Sequence, residues 1–403
     1  MQRRNFLRTS ALASSLLLVP KLLHALDHGS GLSRLRDAGG RRLIVVQLGG
    51  GNDGLNTIIP YKNDLYYQAR PTLAIREAEG ILALDQDLGL HPAMRGLKGL
   101  YDQGQVAIFN SVGYPNPDRS HFRSMDIWQT GSAAGQSLST GWLGRFLDAD
   151  CAGCSHSYSA LELDDTLSLA LKGQSRKGLA LKNPDKFRQL TKSRAVAAAT
   201  QAHPHHEPHS EVDYLYQTLA ETTSSAQYLY DKARIYKSPT AYPASEFGKS
   251  LKTTAELINS GVESRVFYLA LPGFDTHVRQ QEQHRRLLTD LSDGLAALAA
   301  DLQRSGEWAN TLVLVFSEFG RRVQQNASNG TDHGTANSVL LLGGSLRQRG
   351  ILNAAPDLAS LDQGDLRHQV DFRGIYATIL KDWLGGDDAK ILGADFKRVT
   401  GFV

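Results

Sequence analysis

Five short stretches of this 403-residue chain carry side chains able to do chemistry. "NGTDHGTANSVLLLGG" sets Asp332 and His333 just before an apolar run. "FYLALPGFDTH" ends an apolar run with Asp275 and His277, and "LVLVFSEFGRR" ends another with Glu318 and Arg321. "LIVVQLGGGNDG" closes in three glycines and Asp53, and "DRSHFRSMDIW" puts Ser120 at the start of a helix-like segment. Carboxylates and neutral imidazoles are the usual ligands of zinc or manganese. A bound cation lowers the pKa of a hydroxyl or water and neutralises charge developing in the transition state. A serine at a helix N-terminus gains from the dipole and the free N–H groups, which also favour a bound phosphate or sulfate. An arginine can grip two anion oxygens at once. The set suits a metal-assisted displacement at an anionic ester.

Each residue also has a plainer reading. Asp53 among glycines is a turn residue, Ser120 is a good helix N-cap, and Asp275 with His277 can form a solvated turn. His333 can be a loop histidine held only by hydrogen bonds. The glycine triplet is not a phosphate loop, because the Gly-Lys-Ser/Thr ending is missing. What favours chemistry is position, since all these residues lie at the ends of strand-like runs or in the loops beside them.

Residues 43–48 are a nearly continuous apolar run, as expected of a strand buried on both faces. "QVAIFNSV", "SRVFYLAL", "TLVLVF" and "SVLLLGG" read as further strands. "LHPAMRGLKGLYDQG" has apolar residues at helical spacing and stops at Gly104. Helices are also expected over 214–236, 245–260, 283–305 and 371–384. Strands alternating with helices predict an α/β fold, a doubly wound and mostly parallel sheet with helices on both faces. Ligands of such sheets bind outside the carboxyl ends of the strands. If the strands are parallel neighbours, the groups at Asp53, Ser120, Asp275 and Glu318 converge on one edge. The pattern is irregular around 152–210, which reads as an insertion or cap.

The remaining features set boundaries. A net charge of +3, with lysines and arginines scattered, argues against a nucleic-acid partner. "QRRNFLRTSALASSLLLVP" has paired arginines, then Phe-Leu and a short apolar run, the pattern of a twin-arginine export signal. Residues 1–30 are therefore set apart from a domain over 31–403. The expected location is periplasmic or secreted, with the twin-arginine translocase as partner during export. That route often carries proteins already loaded with metal, and no segment is long enough for a stable membrane span. Cys151 and Cys154 read as a local disulfide or a free pair rather than a redox site, because no thioredoxin-like pattern surrounds them. "QAHPHHEPH" (201–209) reads as a solvated linker. The four tryptophans read as core or helix anchors rather than a sugar-stacking platform.

Over nearly its whole length beyond the signal, the chain resembles the twin-arginine-exported family catalogued as "domain of unknown function fifteen-oh-one", a branch of the alkaline-phosphatase and sulfatase superfamily. The stretches that carry the resemblance are "LGGGNDGLNT", "SHFRSMDIWQTG", "GFDTH", "SEFGRR", "GTDHGTANSVLLLGG" and "VDFRGIYATILKDWLG". The resemblance implies an alkaline-phosphatase-like fold and one or two divalent ions (zinc, manganese or calcium). Asp53, Asp275, His277, Glu318 and His333 match metal-binding positions, with His284 as another partner for Asp275. Ser120 matches the nucleophile, and Arg321 is assigned to the anion. Phe319 stands where the superfamily places a histidine ligand, which leaves the site built from Asp275, His277 and His333 the more complete. The implied activity is hydrolysis of a phosphate or sulfate ester, on a small molecule or a polymer. The alternative is a non-catalytic, metal-containing envelope protein that binds a polymer or a secreted partner.

Overall fold

A computed structural model describes residues 40–150, 156–193, 196 and 211–403. Residues 1–30, where the export signal is expected, Cys151, Cys154 and the tract 201–209 lie outside the described residues. Strand β1, Arg42–Gly49, is the apolar run read at 43–48 and lies inside the main sheet. It pairs in parallel on one side with Val266–Pro272 and on the other with Thr311–Ser317. The sheet also holds Val106–Gly113, Ala160–Glu162, Leu179–Ala180, Asn337–Gly343, Gly350–Ile351 and Val370–Asp371. In chain order these are β2 (Val106–Gly113), β3 (Ala160–Glu162), β4 (Leu179–Ala180), β5 (Val266–Pro272), β6 (Thr311–Ser317), β7 (Asn337–Gly343), β8 (Gly350–Ile351) and β9 (Val370–Asp371). Their spatial order is β8-β2-β7-β6-β1-β5-β3-β4, with β9 also on β2.

Alternate residues of β1 serve two different cores, as the two-residue repeat of a strand requires. Ile44, Val46 and Leu48 pack with Leu288, Leu291 and Leu295 of the long helix Gln280–Ser305. Leu43 and Val45 pack with Trp128, Phe372 and Tyr376 on the other face. The sheet is thus covered by helices on both sides, and Arg42–Val403 forms one compact unit. Trp128, Trp142, Trp308 and Trp383 are all buried in these layers. Within the irregular stretch 152–210, the segments "YSALELDD" and "KGLALKN" supply two short strands, β3 and β4, which extend the sheet beyond β5.

One strand departs from the parallel pattern. β7 runs antiparallel to both β6 and β2. No crossover helix separates β6 from β7, so the chain leaves the carboxyl end of β6, makes the loop 318–336 at that edge, and returns. The amino end of β7 therefore lies beside the carboxyl ends of β1, β2, β5 and β6. This explains the acid and imidazole just before an apolar strand: His333 precedes β7 and still arrives at the ligand edge of the sheet.

Candidate metal centre

Side chains from three segments at this edge meet around one oxygen, Asp275 Oδ1. Arg321 Nη2 donates to it at 2.7 Å. The Nε2 atoms of His277, His333 and His121 lie 2.9, 3.2 and 3.5 Å from it. His121, Asp275 and His333 each offer a ligand atom, and these atoms lie within 4.8 Å of one another. His277 flanks them, with its Nε2 3.0 Å from that of His333.

The far nitrogen of each ring has an acceptor behind it. His121 Nδ1 meets Glu318 Oε1 at 2.9 Å, His277 Nδ1 meets Asp332 Oδ1 at 3.2 Å, and His333 Nδ1 meets the Arg119 carbonyl at 2.8 Å. Carboxylates and carbonyls only accept, so each Nδ1 carries a hydrogen and each ring turns its Nε2 inward, as a bare lone pair when the ring is neutral. His121 Nε2 is buried and makes no hydrogen bond. Lone pairs gathered around a carboxylate oxygen repel; the Arg321 guanidinium supplies part of the positive charge that relieves this, and a ring proton or a bound cation can supply the rest. Such backing by carboxylates and carbonyls is what fixes the tautomer of metal-binding histidines. The residues present therefore fit a divalent ion.

Electrostatics agree with the geometry. Burial would raise the Asp275 carboxyl, but hydrogen bonds from Arg321 and His333 and the charges of Arg321 and His277 hold it at about 2. Asp275 is thus ionised at neutral pH. Burial pushes His333 below its ordinary value, whereas the Glu318 hydrogen bond raises His121.

Local sequence explains the placement. Gly50, with φ +115°, brings the chain after β1 so close to the loop after β5 that a Cβ there would lie 2.4 Å from Asp275 N. His121 is the first residue of helix α1, His121–Thr130, which follows β2 through the loop 114–120. The limbs of loop 318–336 pair with each other through an antiparallel bridge between Arg321 and His333. The bonds Gly320 N to Thr335 O and Gly334 N to Gly320 O, both 2.8 Å, close it.

A family model described as "Protein of unknown function (DUF1501)" matches residues 40–399, which includes every residue of this centre. The chain belongs to that family. No curated protein matches the sequence of this DUF1501 member. Several solved structures are loosely similar to it. The C-terminal periplasmic domain of EcEptC from Escherichia coli aligns at 10% identity and TM-score 0.42, over 89% of this chain and 88% of that one. The phosphonate monoester hydrolase SpPMH from Silicibacter pomeroyi aligns at 11% identity and TM-score 0.39, over 88% and 76%. The lipoteichoic acid synthase LtaP from Listeria monocytogenes aligns at 11% identity and TM-score 0.36, over 88% and 76%.

Of the residues expected from the DUF1501 sequence, the structure brings Asp275, His277, His333 and Arg321 together, and it gives Glu318, Asp53, Arg321 and Ser120 surroundings other than those expected. Glu318 is buried behind His121, and its Oε1 also accepts from Gly50 N at 2.8 Å, so it backs a ligand rather than facing the centre. Asp53 is buried in an ion pair with Arg70, Nη1 to Oδ2 at 2.6 Å. Burial would raise the Asp53 carboxyl, but the Arg70 charge and hydrogen bond outweigh it and hold it below its ordinary value. A guanidinium thus occupies the charge role expected of a metal beside Asp53. Arg321 was expected to grip an anion, yet its guanidinium is buried and donates to the carbonyls of Gly50, Gly51, Phe274 and Thr331 as well as to Asp275. Ser120 occupies the N-cap position of α1 but makes no side-chain cap bond, and it is exposed.

His284 lies apart from the centre. Its Nε2 meets Asn52 Oδ1 at 2.9 Å, and burial pulls its pKa down to about 3. Phe319 stacks beside the centre, with its ring 4.7 Å from that of His333 and 4.9 Å from that of His121. Read from the sequence, His121 is either a group supporting the site from behind or an ordinary surface histidine, not a ligand. The signal available for it was its place beside Ser120 at a helix start after an apolar strand, the same kind of position that pointed to Asp275.

Proposed function

We propose that this protein is an exported, metal-dependent hydrolase of phosphate or sulfate esters that uses one divalent ion. The observation that carries this reading is the convergence of three Nε2 atoms on Asp275 Oδ1, each ring fixed by an acceptor behind it. His121, Asp275 and His333 would hold the ion, with His277 beside them. When bound, a divalent ion supplies charge neutralisation at an ester oxygen and lowers the pKa of a coordinated hydroxyl. Glu318, Asp332 and the Arg119 carbonyl keep protons on the three Nδ1 atoms. Arg321 holds Asp275 in place. Ser120, whose hydroxyl is free of a capping role, is the proposed attacking group. Its neighbours in the first turn of α1 offer N–H groups to an anion.

Two observations favour one ion over two: Phe319 fills the side where a second set of ligands was expected, and Arg70 neutralises Asp53. The committed donors of Arg321 favour a second reading, a metal-containing binding protein without turnover. In both readings the twin-arginine signature of residues 1–30 sends the protein to the periplasm or beyond. Among the described residues no helix is long and apolar enough to cross a membrane.

The test is metal content by elemental mass spectrometry on protein exported and purified without a His-tag or chelator, beside His333→Ala and Phe319→Ala. One equivalent in the wild type and in Phe319→Ala, lost in His333→Ala, is the expected result. Absence of metal from folded wild type would overturn the proposal. Metal without turnover of any phosphate or sulfate ester would leave the binding reading in its place.

A further inference from the structure

The segments that carry His121 and His333 share an anchor outside the centre. Asp365 is fully buried in the hairpin Leu361–Asp362 and Asp365–Leu366. Its Oδ2 accepts from Arg119 Nη2, and its Oδ1 lies 3.3 Å from Arg322 Nε. Arg119 belongs to the loop just before His121. Arg322 belongs to the limb that faces His333, and its backbone N–H bonds the Asp332 carbonyl at 3.0 Å. Burying a carboxylate this fully is costly unless cations meet it. Here two half-exposed arginines, one from each segment, turn inward to do so.

The hairpin rides on the loop 318–336. Thr335 Oγ1 donates to the Leu366 carbonyl at 2.7 Å, Arg322 Nη2 donates to that of Gln363, and Leu366 packs with Val323 and Ala336. Its turn has two residues, Gln363 at φ +52° and Gly364 at φ +90°, so Asp365 is held on a short, fixed reach. The loop 114–120 has no comparable support. Among the described residues, most of its hydrogen bonds stay within 114–124, such as Asp118 N to Tyr114 Oη at 3.2 Å and Ser124 Oγ to the Asp118 carbonyl at 2.7 Å. Two reach across: Arg119 Nη2 to Asp365, and His333 Nδ1 to the Arg119 carbonyl at 2.8 Å. The first secures the geometry of the second. We propose that Asp365 is a positioning residue: it holds Arg119, and so fixes His121 and the carbonyl behind His333 at the spacing of the centre. This rests on the metal-dependent reading above and adds to it a residue that touches no ligand.

The experiment pairs zinc titration against a competing chelator with NMR of the histidine ring nitrogens in metal-free protein. Wild type is compared with Arg119→Ala, Asp365→Ala, their double variant and Asp365→Asn. Arg119→Ala keeps the backbone carbonyl that His333 uses and removes only the tie. Each alanine variant is expected to weaken zinc binding by ~10-fold, and the double variant no further, because the two residues act as one unit. Asp365→Asn, which still accepts from Arg119, recovers part of the loss. In metal-free wild type the His333 proton sits on Nδ1; in the alanine variants it divides between the two ring nitrogens. Arg119→Ala, at an exposed position, gives the same readings where Asp365→Ala does not fold. A lower Tm with zinc affinity and the His333 proton unchanged would make the pair a structural tie and overturn the proposal. So would losses that add in the double variant. No zinc bound by wild type, with the His333 proton displaced in the variants, would support the positioning role and overturn the metal-dependent reading alone; with that proton unmoved, both would fall.

Discussion

Glu318 acts on the centre through His121. Its carboxylate fixes the Nδ1 proton and ring angle, and Gly50 N holds the carboxylate in turn. Groups placed in this way behind a metal-binding histidine typically change affinity by about 10–100-fold when removed. Glu318→Ala is therefore expected to weaken zinc binding by that order, while Glu318→Gln, which can still accept at Oε1, recovers part of it. Titration against a competing chelator reads both. Equal affinity in all three proteins would remove Glu318 from the centre's support. At this scale the sequence was informative about residue type and less so about role. Asp275, His277 and His333 could be read from strand ends. The pairing of Asp53 with Arg70 could not, because it joins residues 17 positions apart across an irregular segment whose path no periodicity reveals.

The elements position the centre through close backbone approach as much as through strand order. Gly50 follows β1 with φ +115°, and a Cβ there would meet Asp275 N at 2.4 Å. Gly50→Ala is expected to push the Asp275 loop away, lower metal occupancy, and cost about 1–3 kcal/mol from strain at a positive φ. Gly80→Ala is the control, since Gly80 also has a positive φ, +90°, but has nothing within 4 Å of its would-be Cβ. That variant should lose stability and retain metal. Equal metal content in the two variants would show that the approach at Gly50 does not position Asp275. The glycine triplet was visible in the sequence as a strand end, but its partner was not. The direction of β7 was hidden for a related reason: a buried apolar strand has the same composition whichever way it runs, and only the absence of a helix between β6 and β7 marks the return.

At the scale of the molecule, alternation of apolar runs with helical periodicity was enough to read the two-faced α/β sheet, because each layer leaves its own period in the sequence. The short strands β3 and β4 fall in "YSALELDD" and "KGLALKN", which read as short strands within an irregular stretch but are too short to show that they join the main sheet, and they place an ionisable group in the sheet itself. Glu162 ends β3, is 5% exposed, and accepts from Ser168 N at 2.6 Å. Burial lifts its carboxyl from 4.5 to about 7; the Ser168 bonds and the Lys172 charge oppose the rise, and Asp164 adds to it. Below about pH 4.5 both folded and unfolded chains hold this proton, so the group leaves stability unchanged. Between 4.5 and 7 the folded state keeps a proton that the unfolded chain releases, so stability falls as pH rises. Above 7 the loss is complete, at roughly 3 kcal/mol or less. Glu162→Gln keeps an acceptor for Ser168 and removes the titration. Urea unfolding at pH 5 and pH 8 is expected to show the wild type losing more stability than the variant across that interval, with the variant the more stable at pH 8. Parallel losses in the two proteins would mean that Glu162 ionises in the fold at no cost, and that the edge of the sheet beyond β5 opens to water around it.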